Sequence, residues 1–343
     1  MLLPRRRFLR CPVGFLAAAS VPALSRGARA VDYPAKPIRW IVGYPAGGSA
    51  DTTARILAEW LQARLGQPVI IENKPGAATN ISLQAAINAP PDGYTLVYLG
   101  TSATVNPSLF DALPFDVLRD IAPVCGIADY PLALVVNGSI PSRNVAEFID
   151  YARARPGQIS MASFGAGTSS HLAGELFQNM TGIKLVHVPY RGEGLALADM
   201  LSGQVEVMFD TVSAAAPHIR SGALRALAVA GGERYDGLPG VPAVSETVAG
   251  YEARSWGGVG VPRGTPPDII DRLYREIDAA LEDAVVRRRL NDIAALPIRY
   301  SPTAFGALMA AETRKWAEVV RRTGIAAEAT RGHGGSAPHP ATR

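Results

Sequence analysis

Two strand-like runs in this chain each lead at once into a glycine-rich turn and a helix-like run, and they lie far apart in the sequence. Ile38-Arg39-Trp40-Ile41-Val42 leads into Tyr44-Pro45-Ala46-Gly47-Gly48-Ser49-Ala50-Asp51. Ile159-Ser160-Met161-Ala162-Ser163 leads into Phe164-Gly165-Ala166-Gly167-Thr168-Ser169-Ser170-His171. Glycine lets the backbone turn sharply and approach a ligand closely. The helix start behind it offers unpaired N–H donors and a partial positive charge. Each junction is therefore a candidate anion cradle. Two cradles so far apart point to two lobes closing on one small anion.

The pattern around each cradle is alternating strand and helix. In the first unit, Ile38–Val42, Val69-Ile70-Ile71 and Tyr94–Leu99 read as strands. Between them, Thr52 to Leu65 reads as a helix with Ile56, Leu57, Trp60 and Leu61 on one face, and Ala77 to Ala89 as a second helix. This order predicts a parallel sheet with ligands beyond the carboxyl ends of its strands, where Thr101 and Ser102 also fall. A second unit begins at Leu132–Val136 and continues through a helix from Val145 to Arg155. Its further strands are Ile159–Ser163, Leu185–Val188, Val205–Phe209 and Leu224–Val229. Trp256–Val261 returns the chain to the first unit, followed by helices after Pro266 and from Thr303 to Thr323. The expected fold class is α/β: two lobes, each with a mostly parallel sheet, one from 31–130 and 252–325, the other from 131–251. A single large sheet is the alternative.

Residues 1–30 read as an export signal. Arg5-Arg6-Arg7-Phe8-Leu9 resembles a twin-arginine start, Val13 to Leu24 is mostly apolar, and Ala28-Arg29-Ala30 supplies a small-x-small cleavage pattern. Those thirty residues carry six arginines and no acid, so their removal takes the formal charge from +4 to −2. The basic balance therefore argues nothing for nucleic acid. One cysteine, Cys125, remains beyond the leader, so no internal disulfide forms. The expectation is a soluble periplasmic monomer, with a disordered tail over 326–343.

The glycine turns do not complete a catalytic motif. Gly47-Gly48-Ser49-Ala50-Asp51 lacks the last glycine of a nucleophile elbow, and no lysine makes it a Walker loop. Ser49 then reads as a cap, and Asp51 as either a first-turn cap or a neighbour that repels a bound anion. Gly165-Ala166-Gly167-Thr168-Ser169-Ser170 has serine where a dinucleotide turn has its third glycine. His171 and Glu175 share a helix face, which fits a structural histidine better than a metal pair. His171 can also be placed one turn inside the cradle, donating to a bound anion. Arg191 and Asp210 end strands of the second unit, the first as a solvated surface arginine or a bidentate partner for a carboxylate, the second as a ligand acceptor or helix cap.

Taken in order, these segments resemble the Bug family, the substrate-binding proteins of tripartite tricarboxylate transporters. The resemblance rests on Tyr44–Asp51, Glu72-Asn73-Lys74-Pro75-Gly76-Ala77, Pro91-Asp92-Gly93-Tyr94-Thr95-Leu96, Val188–Gly192, Met208-Phe209-Asp210 and Leu224–Val229. It implies a Venus-flytrap fold, a carboxylate gripped between the two glycine turns and delivery to membrane subunits; no cofactor or metal is expected, and the incomplete motifs argue against catalysis. The ligand-binding set then comprises Tyr44, Pro45, Ala46, Gly47, Gly48, Ser49 and Asp51, with Thr101 and Ser102. From the second lobe it takes Gly165, Ala166, Gly167, Thr168, Ser169, His171 and Asp210. Ala78 and Thr79 stand where the family commonly has glycines, and 242–250 is shorter than usual. Two other readings remain at this point: an exported hydrolase using Ser102 or Ser169 with His171, and a receptor serving a sensor.

Overall fold

A computed structural model describes residues 33–110 and 112–323. The leader and the tail read from the sequence lie outside the described residues. The architecture below belongs to the compact unit from Pro34 onward.

From the start of that unit the order is β1 (Ile38–Val42), α1 (Ser49–Leu65), β2 (Val69–Asn73), α2 (Asn80–Ile87), β3 (Thr95–Gly100), α3 (Thr101–Leu109), α4 (Val117–Asp120) and β4 (Ile121–Tyr130). Next come β5 (Leu132–Val136), α5 (Val145–Arg153), β6 (Ser160–Ser163), α6 (Ser169–Thr181), β7 (Val186–Pro189), α7 (Glu193–Ser202), β8 (Val207–Thr211), α8 (Val212–Arg220) and β9 (Arg225–Val229). The last stretch is β10 (Ser255–Pro262), α9 (Pro267–Glu282), α10 (Ala284–Asp292), β11 (Leu296–Tyr300) and α11 (Pro302–Thr323).

The strands form two sheets, ordered β11-β4-β10-β3-β1-β2 and β7-β6-β8-β5-β9. The parallel strands are those joined by α/β crossovers: β2-β1-β3 in the first sheet and β7-β6-β8 in the second. The expected mostly parallel sheets are instead mixed. β10 runs antiparallel to β3 and β4, β11 to β4, and β5 to β8 and β9. The reason is topological: β5 follows β4 directly through Pro131, and β10 returns from β9 to the first sheet with no α-helix between, so β5 and β10 enter their sheets antiparallel.

Core burial follows from the apolar pattern. In α1, Ile56, Leu57 and Leu61 are buried, each contributing about 1.5–3 kcal/mol of hydrophobic stabilisation. Gly66, in a left-handed conformation, caps the helix by donating its N–H to the Gln62 carbonyl. Both faces of the second sheet are covered, one by Phe148, Phe177, Phe209 and Tyr251, the other by Met200, Met208 and Val212. A smaller cluster of Val105, Leu109, Leu172, Trp316 and Val320 ties α3 and α6 to α11, joining the two sheets behind the cleft.

One expected helix begins differently. Ala77, Ala78 and Thr79 all have positive φ, at 46°, 50° and 73°, so α2 starts only at Asn80. Two side chains hold the strained turn: Asn106 Nδ2 donates to the Ala78 carbonyl at 2.7 Å, and Ser82 Oγ to the Thr79 carbonyl at 2.7 Å. Gly43, at the exit of β1, packs so tightly on this turn that a Cβ there would lie 2.4 Å from Ser82 Oγ.

Candidate functional site

The carboxyl ends of β1, β6, β7 and β8 open onto one cavity of about 670 Å³. From the first sheet it is lined by Tyr44 to Ala50 and by the rings of the Tyr98, Tyr130 and Trp256 region. From the second sheet it is lined by Phe164, Thr168 and Ser169, by Arg191 to Leu195, and by Thr211 and Ala214. Tyr44 stands edge-on to Tyr98 with centroids 5.9 Å apart, and Tyr98 Oη donates to Tyr130 Oη at 2.8 Å. Burial raises the pKa of Tyr44, Tyr98 and Tyr130, so these phenols stay neutral.

Helix geometry supplies the polarity. The residues Gly48, Thr168 and Gly192 cap α1, α6 and α7, and no side chain accepts a hydrogen bond from the first turn of any of the three. All three termini line the cavity. A fourth, at α8, is capped by Thr211 Oγ1, which accepts from the Ala214 N–H at 3.3 Å. Arg191 brings the cavity a guanidinium.

Of the ligand-binding set read from the sequence, Tyr44, Pro45, Ala46, Gly47, Gly48, Ser49, Thr168 and Ser169 line this cavity. The others do not. Asp51 is buried and turned away: it accepts from Gly47 N–H and Arg55 Nε at 2.9 Å and from Asn73 Nδ2 at 2.8 Å. Burial raises its pKa, but Arg55, Gly47 and Asn73 outweigh this and hold it below the usual value. Its negative charge is thus spent locally and does not oppose an anion in the cavity. Thr101 and Ser102 are buried beneath it, and Ser102 Oγ donates to the Gly167 carbonyl at 3.1 Å.

Gly165, Ala166 and Gly167 form the turn behind the wall rather than the wall itself. The Gly165 N–H donates to Ser163 Oγ at 3.2 Å, and the Gly167 N–H to His171 Nδ1 at 3.1 Å. These amides are therefore committed to the protein. His171, expected as a ligand donor, is buried and stacked on His187 with centroids 3.9 Å apart. Burial first, and His187 second, lower its pKa to about 3; burial lowers His187 to about 4. Both rings are neutral at physiological pH and serve as props for the turn. Asp210 is fully buried, and its Oδ1 accepts from the Thr211 N–H at 2.8 Å.

The Ser/His arrangement of a hydrolase is not assembled. His171 Nδ1 is taken by a backbone amide, its Nε2 lies 3.7 Å from Glu175 Oε1, and Ser102 is bonded to a carbonyl. Among the described residues no group of three or more His, Cys, Asp or Glu side chains is placed to hold a metal.

Sequence reading passed over the third turn, Gly192-Glu193-Gly194, although it repeats the strand–glycine–helix signal between β7 and α7. It also passed over Tyr98, Tyr130 and Trp256, which read as ordinary strand residues.

Residues 53–325 match the family described as tripartite tricarboxylate transporter family receptor. The chain belongs to this family. It is 39% identical to Protein BugT of Bordetella pertussis over 315 residues, 90% of this chain and 95% of that one. Among solved structures, R. palustris Rpa4515 with adipate superposes with a TM-score of 0.82 at 34% identity, covering 86% of this chain and 99% of that chain. MatC from Rhodopseudomonas palustris with bound malate gives 0.78 at 30%, covering 84% and 100%. The tripartite tricarboxylate receptor described here has the two-lobed fold of periplasmic binding proteins. It is a solute-binding receptor and not an enzyme. None of its described helices is long and apolar enough to cross a membrane.

Proposed function

We propose that this receptor captures a small carboxylate outside the cytoplasm and delivers it to the membrane subunits of a tripartite tricarboxylate-type transporter. The carrying observation is the convergence of three uncapped helix N-termini, α1, α6 and α7, on one cavity. Free first-turn amides and the positive helix ends suit a carboxylate without a dedicated salt bridge. Arg191 adds charge at the rim, and the tyrosines and Trp256 give the ligand body an apolar wall. Adipate and malate in two solved relatives support the ligand class.

In this reading, lobe 1 comprises 31–130 and 252–325, lobe 2 comprises 131–251, and the arginine-rich start directs export. The direct contacts come from Gly48, Ser49, Thr168, Ser169 and the Gly192–Gly194 turn. Calorimetry on the mature chain with adipate, malate, citrate, glutamate and benzoate tests this. One-to-one binding of at least one acid, recovered unchanged by mass spectrometry, is the expected result. No binding across such a panel, or product formation in proportion to protein, would overturn it. Loss of uptake of the bound acid on deletion of the gene tests delivery.

A further inference from the structure

One wall of the cavity carries an acid. Glu193 is the first residue of α7, and its Oε1 accepts from Thr211 Oγ1. Thr211 Oγ1 also meets Ser213 Oγ at 2.8 Å, and Ser213 Oγ meets Ser49 Oγ at 3.1 Å. The chain of hydroxyls therefore crosses from the second sheet's loops to the N-terminus of α1.

Proton counting fixes its direction, because each hydroxyl has one hydrogen to donate. Thr211 spends its hydrogen on Glu193. The Ser213–Thr211 bond must then use the hydrogen of Ser213, and the Ser49–Ser213 bond the hydrogen of Ser49. Every hydrogen in the relay points toward Glu193. Ser49 Oγ is left with lone pairs and no hydrogen for a ligand, as is the Glu193 carboxylate. This wall accepts; it does not donate.

A second carboxyl keeps the arrangement from collapsing into a like-charge pair. Burial, and then the charge of Glu193, raise the pKa of Asp210 well above its ordinary value, which favours its neutral form. Burial also raises Glu193, opposed by its hydrogen bonds to Thr211 and Asp210. Asp210, the deeper and more strongly raised of the two, is the member on which a shared proton is favoured, while Glu193 lines the cavity.

We propose that Glu193, acting through Thr211, Ser213 and Ser49, selects carboxylates that also carry a hydrogen-bond donor, a hydroxyl or an ammonium group. The inference rests on the carboxylate reading above and deepens it. The helix amides take the carboxylate, whereas the half-buried Glu193–Ser49 wall offers only acceptors, which a ligand leaves unpaired unless it brings a donor. An unsubstituted acid leaves those acceptors desolvated and unpaired, a loss of about tenfold or more in affinity.

The test compares acids that differ only in the donor: succinate with malate and aspartate, benzoate with 4-hydroxybenzoate, and phenylacetate with mandelate. Calorimetry on the mature receptor should show at least about tenfold tighter binding of the donor-bearing member of the pair that fits. Malate against aspartate separates a hydroxyl from an ammonium preference. In Glu193→Gln, whose amide can donate into the relay, the preference should fall below about threefold. Ser49→Ala should lower it as well, with thermal unfolding confirming that both variants fold. Equal affinity within every bound pair, or a preference unchanged in both variants, overturns this selection while leaving carboxylate binding intact. Failure of every acid to bind overturns the carboxylate reading and this inference together.

Discussion

The amide of Gly167 donates to Nδ1 of His171 at 3.1 Å, and this bond exists only while the imidazole is neutral. His187, stacked beneath, is bonded through Nε2 to Ser163 Oγ at 2.7 Å, and Ser163 in turn accepts from the Gly165 amide. The turn in front of α6 thus hangs on two uncharged histidines.

Both histidines have folded-state pKa values lowered from 6.5, to about 3 and about 4. The unfolded chain binds their protons first, so the stabilisation is complete above about pH 6.5 and is lost as pH falls toward 4. The slope is at most about 1.4 kcal/mol per pH unit for each ring. Chemical denaturation at pH 7, 6, 5 and 4 should show wild type losing stability steeply. A His171→Gln/His187→Gln variant should be flatter over the same range. Parallel curves would remove the histidines as the cause.

The two glycine turns respond differently to a side chain. Gly48 has ordinary extended backbone at φ −75°, and a Cβ there meets only the Pro45 carbonyl oxygen at 3.7 Å. Gly48→Val should therefore fold normally and lose ligand affinity by tenfold or more, because it crowds a cavity-lining position at the α1 N-terminus. Gly167 has φ +75°, and a Cβ would sit 2.9 Å from Leu109 Cδ1. Gly167→Val should instead destabilise the fold by about 1–3 kcal/mol. Thermal unfolding beside calorimetry distinguishes the two effects.

The strained turn at Ala77–Thr79 predicts a stabilising substitution. A left-handed L-residue costs about 1–2 kcal/mol, and Ala78 sits at φ 50°, ψ 45°. Glycine removes that cost and adds back part of it as unfolded-chain entropy. Ala78→Gly should raise stability by about 0.5–1 kcal/mol in urea unfolding. A destabilisation would show that the Cβ of Ala78, which faces Gly167, contributes more packing than strain.

Much of this architecture is legible in the sequence because the crossover units carry clean apolar strands and glycine-ended helices, as in β1–α1 and β6–α6. β4 is not legible, since Pro123 and Gly126 interrupt its ten residues. The structure tolerates them for local reasons. β11 pairs with β4 only over Gly126–Asp129, so Pro123 lies beyond the reach of that partner. Gly126 gives room for Tyr300 and Phe305, either of which would lie within 3.2 Å of an added Cβ. At the site, sequence located the turns but not which atoms are already spent. The Gly167 amide, the Asp51 carboxylate and the Ser102 hydroxyl all find protein partners through contacts that spacing alone does not reveal.

Ser102 carries the last prediction. Its hydroxyl, fully buried and outside the cavity, bridges the first sheet's α3 to the Gly167 carbonyl of the second. A bond between the halves favours the approach of the two lobes without touching ligand. Removing it should shift the lobe equilibrium toward the open form by about 0.5–1.5 kcal/mol. Ligand must then repay that difference, so Ser102→Ala should weaken affinity by about twofold to tenfold. Small-angle scattering should show a larger radius of gyration for the free variant than for free wild type, and the same radius for both at saturation. Weakened binding with unchanged free-state radius would mean that Ser102 shapes the cavity directly, and would remove the closure argument.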